Sequence, residues 1–310
     1  MEKQESYSLK GFGMLLRVVA VVASSIATII STILPLAFGY DISNVDLFLL
    51  FLLLVVGAFL VHGVLTHVFN DIADFKSGTD QESPGMLSGG SRVLQNGVMT
   101  LDMLVRIGLV VTLLLLIATA LFITFGQMEL AILTIVGLWG AISYSLKPFR
   151  FAYRPFLGEW LSLFPSILLL GLAAPWLMLD DIPLWAWQNA LINALWCMAW
   201  VMIHHVPDIE ADRNATPMKQ TTVVWAARQF GVKAAPSPAL FYLVIVGLLA
   251  ISVIWDRPIA AVGTLLLLGY GIYMVLKINV DDVEQVTAYE KVLLLLAMAT
   301  AIWLGLFPEM

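Results

Sequence analysis

Apolar residues collect along the chain into runs of about 17 to 25 positions, the length a helix needs to cross roughly 30 Å of hydrocarbon. Such runs are read at Met14–Phe38, Leu47–Asn70, Met103–Phe125, Met128–Tyr144, Phe156–Leu179, Leu184–Val206, Ala239–Trp255, Ile259–Leu276 and Glu290–Phe307. The stretch from Leu47 to Leu60 has no polar side chain at all. A helix apolar on every face suits lipid, where each backbone N–H and C=O must be satisfied within its own segment. The pattern therefore predicts an all-α polytopic membrane protein: nine transmembrane helices in one bundle, forming a single domain over residues 1–310.

The connections alternate in character. Gly39–Asp46, Gly126–Gln127, Asp180–Pro183 and Asp256–Pro258 are short and read as plain turns. Asp71–Asp102 and Pro207–Pro238 are long and rich in Gly, Pro, Ser and charge. Function is expected on these loops, which should form a cap at one face of the bundle.

Composition agrees with this picture. Of the 310 residues, 60% are hydrophobic and 12% are charged, far from a soluble globular balance. The net charge of −6 says less than the placement of the charges. With nine spans, every Lys and Arg except Arg257 falls at one membrane face, which the positive-inside rule makes cytoplasmic together with the amino terminus. The opening MEKQESYSLK is followed by a run too long for a cleavable signal, so the first helix is expected to be retained. Cys197, the single cysteine, is expected to be a small core residue. Arg17 and Arg106 read as cations snorkelling to the interface, and Trp176, Trp185 and Trp187 as an interfacial aromatic belt.

Candidate chemistry gathers where the second and sixth spans end. In HVFNDIADFKSGTDQE, Asn70 and Asp74 are four residues apart and Asp71 and Asp74 three, so a continuing helix would bring all three to one side. His62 and Thr66 extend that stripe inward, where a hydrogen bond from His62 to another helix is expected. In HHVPDIEADRNATPMKQTT, His204, Asp208 and Asp212 recur at intervals of four. Both clusters fall on the same face and can converge. Two carboxylates 4 Å apart repel by about 4 kcal/mol at an effective dielectric near 20, so a counter-charge is required between them. Hard oxygen ligands favour Mg²⁺, which leaves room for water and phosphate oxygens. The neighbouring Lys147, Arg150, Arg154 and Lys219 suggest that the bound object is a polyanion such as a diphosphate. The competing reading makes these acids simple helix caps and loop solvation, but two matched clusters on one face, each followed by a basic residue, argue for the metal-diphosphate site.

The order NDIADFKSGTD, the segment DIEAD with Lys219 and Thr221 downstream, GGSRVLQNG (Gly89–Gly97) and YSLKPFRFAYRPFLGE (Tyr144–Glu159) together resemble the UbiA superfamily of intramembrane prenyltransferases. Within it they are most similar to the 1,4-dihydroxy-2-naphthoate polyprenyltransferases of menaquinone biosynthesis. The chain departs from that branch at His204 and His205, where the branch usually has two Asn, and at Pro207.

The resemblance implies transfer of an isoprenyl group from a prenyl diphosphate to an aromatic acceptor, with membrane lipid as the surroundings and no nucleic acid as partner. It implies Mg²⁺ held by Asp71, Asp74 and Asp80 on one side and Asp208 and Asp212 on the other, with Asn70 adding a neutral oxygen. Lys147, Arg154 and Lys219 would bind the diphosphate, with Tyr144 and Tyr153 flanking it. Glu159 reads either as an acceptor contact or as a helix cap, and His204 and His205 either as orienting the second cluster or as acid-base groups. Homogentisate, a chlorin or a glycerol-phosphate lipid are the alternative acceptors. A cation-coupled transporter is the alternative class, disfavoured because transporters place their charges near the midplane.

Overall fold

Apolar sequence becomes helix throughout the computed structural model, which describes residues 21–84 and 90–308 and contains no strand among them. The helices are α1 (Ala27–Gly39), α2 (Asn44–Ser77), α3 (Thr79–Glu82), α4 (Leu101–Thr124), α5 (Met128–Ser145), α6 (Glu159–Met178), α7 (Leu184–His204), α8 (Ile209–Asn214), α9 (Thr222–Phe230), α10 (Ser237–Ser252), α11 (Pro258–Leu276) and α12 (Val283–Leu306). Among the described residues seven helices are long and apolar enough to cross a membrane: α2, α4, α5, α6, α10 with its flanking turns, α11 and α12. Chain also winds into helix at the first and sixth expected spans. There the described helix, Ala23–Gly39, is shorter than a full crossing, while Gln188, Asn189 and Asn193 dilute the apolar run of α7. Arg17 and the start of the first expected span, with Gly89 of the quoted GGSRVLQNG, lie outside the described residues.

Those amides explain why α7 can be polar inside a membrane protein. The helix is packed against α1, α6, α10 and α12 at once, and Asn189 and Asn193 are buried. The amide nitrogens of Asn189 and Asn193 donate to the carbonyl and the hydroxyl of Ser31 on α1, at 2.8 and 2.9 Å. The bundle's periphery, by contrast, presents Leu109, Leu113, Leu248 and Leu266 outward, as contact with lipid requires. Trp185 is not part of an interfacial belt: it is buried, and its indole N–H donates to Tyr40 Oη at 3.1 Å. The turn carrying Arg257 is likewise more than a plain connection. Arg257 is buried and donates to the carbonyls of Leu304 and Phe307 at the end of α12, where a cation meets the negative end of the helix.

Two helix ends position the polar residues. A π-helical segment at Phe59–Thr66 interrupts α2, which then continues past the acidic cluster to Ser77 and stops at Gly78, whose φ of 88° is a left-handed terminator. The end of α7 behaves differently. Pro207 has no N–H and biases Val206 away from helical geometry, so the chain breaks after His204 and restarts at Ile209. The expected stripe of His204, Asp208 and Asp212 is therefore not continuous. Between α2, α4, α5, α6 and α7 lies a cavity of about 320 Å³ lined mainly by apolar side chains, including Leu54, Val61, Leu133, Leu170, Ala173 and Trp200.

Candidate active site

The two acidic clusters meet. Asp74 from α2 and Asp212 from α8 face the same ammonium, with Lys219 Nζ at 2.7 Å from Asp74 Oδ2 and 3.8 Å from Asp212 Oδ1. All three side chains are almost wholly buried. The counter-charge that the sequence demanded between the clusters is thus supplied by the chain itself. Asn70 supports Asp74 through its amide nitrogen, 3.0 Å from Oδ2. The Tyr153 hydroxyl lies 3.1 Å from Asp74 Oδ1 and 3.0 Å from Ser77 Oγ. The halves are also joined through the backbone, with Thr216 N–H donating to the Ser77 carbonyl at 2.9 Å.

The loop after α3 contributes side chains that the sequence reading passed over. Ser91 Oγ donates to Asp71, and the Ser91 N–H reaches Asp71 Oδ1 at 3.2 Å. Ser83 Oγ donates to Asp208 across the cleft, and the Ser83 carbonyl accepts from Arg92 at 2.9 Å. One loop therefore holds a carboxylate of each cluster. The only sequence signal for it was the quoted GGSR string, in which serine is too common to mark a role. Gly90, with φ of 68°, lies so close to Asp80 that an added Cβ would stand 2.6 Å from Oδ2, which explains a glycine at that position.

Burial dominates the electrostatics. It pushes Asp80 up to about 8, with Asp74 and Asp71 adding to the rise. It holds Asp212 well above the usual carboxylate range, against the opposing pull of Lys219. Burial alone would lower Lys219, but Asp74 and Asp212 more than reverse this and keep it a firm cation. Tyr153 is raised by burial and by Asp74, so its phenol stays a neutral donor. Asp80 Oδ2 and both carboxylate oxygens of Asp212 are buried without a hydrogen bond among the described residues.

Other expected residues are not brought into this cluster. Lys147 and Arg154 are exposed and form no ion pair among the described residues. Arg150 comes closer, with its guanidinium 4.8 Å from the Tyr153 ring centre. Tyr144 turns to His205, Oη to Nε2 at 3.2 Å, and His204 pairs with Glu290 on α12, Nδ1 to Oε1 at 2.6 Å. Glu159 is buried at the head of α6. His62 makes its expected bond to a neighbouring segment, Nδ1 to Ser25 Oγ at 2.8 Å, and lines the cavity with Thr66. Because Thr66 lies four residues before Asn70 on the same helix, the cavity begins roughly 6 Å below the acidic mouth.

The arrangement can bind a polyanion with a hard cation at its mouth and an apolar tail beneath. Among the described residues no three carboxylates or imidazoles close around one point as a metal site does. The donor set nevertheless fits such a cation, since the oxygens are hard and the attraction of Lys219 offsets the burial of Asp80 and Asp212 only in part. The UbiA prenyltransferase family matches the chain over residues 25–289. No curated protein and no solved structure matches it.

Proposed function

Because the chain belongs to the UbiA prenyltransferase family, we propose that it transfers an isoprenyl group from a prenyl diphosphate to 1,4-dihydroxy-2-naphthoate or a similar quinone precursor, with Mg²⁺ as metal. The family and the seven apolar helices make it an integral membrane protein of the prenyltransferase class. The reading adds nine spans in a single domain, with the amino terminus and both long loops in the cytoplasm. One observation carries it: acids from distant parts of the chain share Lys219 above an apolar cavity.

Asn70, Asp71, Asp74, Asp80, Asp208 and Asp212 would hold Mg²⁺, which when bound neutralises the departing diphosphate. Lys147 and Arg154 at the exposed rim draw the polyanion in. Lys219 and Arg150 oppose the charge that grows on the leaving oxygens, and the neutral Tyr153 hydroxyl donates to them. The allylic C–O bond breaks with its electron pair on diphosphate, and an acceptor ring carbon supplies the pair for the new C–C bond. The cavity keeps the isoprenyl chain dry, so that water does not trap the cation as an alcohol. Among the described residues no carboxylate lines that cavity, which disfavours a cation-coupled transporter with midplane charges.

The test is release of diphosphate from a labelled prenyl diphosphate by purified protein with Mg²⁺ and a panel of acceptors, the product identified by mass. Asp74→Asn and Asp208→Asn are each expected to lower release at least a hundredfold, the size of effect found for lost transition-state stabilisers of about 10² or more. Full activity in either variant removes that residue from the site.

A further inference from the structure

His204, the last residue of α7, lies one turn beyond Trp200 and faces a buried acid from α12. Its Nδ1 is 2.6 Å from Glu290 Oε1, Glu290 is completely buried, and the other carboxylate oxygen takes no hydrogen bond among the described residues. The imidazole stacks on Trp200 with ring centres 5.0 Å apart. Trp200 in turn donates to the Glu290 carbonyl at 3.2 Å and lines the cavity. On the other flank stands the His205 ring, itself bonded to Tyr144. Tyr144 lies within the field of Lys219 and Asp74. The imidazole therefore lies between Trp200, which lines the cavity, and His205, whose partner Tyr144 is within reach of the charges on Lys219 and Asp74.

A carboxylate held against one imidazole nitrogen fixes the tautomer, leaves the opposite nitrogen as a proton acceptor, and stabilises the imidazolium that results. Resting on the transferase reading above, we infer that His204 is the catalytic base for the acceptor and Glu290 its positioning residue.

As the ring carbon forms its bond to the allylic carbon, the acceptor O–H bond breaks and its electron pair enters the ring. The diphosphate leaves with the pair of the allylic C–O bond, and the proton rests on Nε2 of His204. Aromaticity returns when the prenylated carbon loses a proton to solvent, or CO₂ if it carries a carboxylate, and the oxygen takes the proton back.

The experiment compares initial rates with geranyl diphosphate and Mg²⁺ on 1,4-dihydroxy-2-naphthoate and on ring-fluorinated derivatives with progressively more acidic hydroxyls. His204→Gln and Glu290→Gln are expected to lower turnover on the parent acceptor about a hundredfold, the range of general-base catalysis, with KM for geranyl diphosphate unmoved. The ratio of wild-type to variant rate should shrink as the acceptor hydroxyl becomes more acidic, because a weaker base then suffices. A ratio constant across the series, or variants that match wild type, overturns the dyad. Loss of the folded state in both variants marks the pair as a structural tie and overturns it equally. A wild type that releases no diphosphate overturns the transferase reading instead, and this inference with it.

Discussion

Lys219 reaches Asp74 and Asp212 with about 4% of its side chain exposed, so its charge and theirs have little water to fall back on. Removing one partner of a buried ion pair leaves the others uncompensated, which costs about 3–5 kcal/mol. Lys219→Met is accordingly expected to lower the thermal unfolding midpoint in detergent, and added Mg²⁺ to restore part of the loss. Asp80 gives a dependence of definite sign. Its carboxyl titrates near 3.8 in the unfolded chain and at about 8 when folded, so between those values the folded state holds a proton that the unfolded state has released. In metal-free protein this contribution is complete below about pH 4 and is lost as pH rises through about 8. Unfolding midpoints in EDTA over that range should show the decline, and Asp80→Asn should flatten it. The acids themselves were legible, because carboxylates at helical spacing beside lipid-like sequence need a reason. Ser83 and Ser91 were not, since what matters about them is contact with Asp208 and Asp71 across a loop.

Helix against helix, the close approaches depend on small residues. Gly171 of α6 faces Ala190 of α7 so closely that an added Cβ would stand 2.8 Å from the alanine Cβ. Gly171→Val should push the two helices apart and destabilise the bundle by about 1–3 kcal/mol, the usual range for overpacking. SDS titration of the unfolding transition measures it. The effect should extend to the cavity, because α6 and α7 both contribute walls to it. Element boundaries were less legible than element existence. The helical repeat of four was extended through Pro207 to join His204 with Asp208 and Asp212, whereas the structure ends the helix first and turns the imidazole toward α12. Periodicity also could not show that α2 and α6 carry π-helical segments, whose register shift depends on neighbouring helices.

The whole molecule separates a charged mouth from a turn-bearing far side, and the proposed orientation is open to direct measurement. Cys197 is buried, so the wild-type chain should resist a membrane-impermeant thiol reagent in intact cells. Lys233 and Asp180 are exposed at opposite ends of the bundle. Lys233→Cys should label only after the membrane is opened, and Asp180→Cys should label from outside. The reverse pattern would invert the topology while leaving the site chemistry untouched.

By itself the sequence determined the solvent of this protein and the location of its chemistry. Apolar runs such as Leu47–Leu60 have no soluble alternative, and Asn70, Asp71 and Asp74 at a run's end are too expensive near hydrocarbon to be incidental. Tertiary structure decided which charges compensate one another. Lys219 was one of several nearby cations until folding buried it between Asp74 and Asp212 and left Lys147 and Arg154 outside. The same folding brought Glu290 from the last helix onto His204. Local sequence fixes periodicity and hydropathy because these depend on neighbouring residues, whereas the pairing of charges depends on distances across the bundle that only packed helices define.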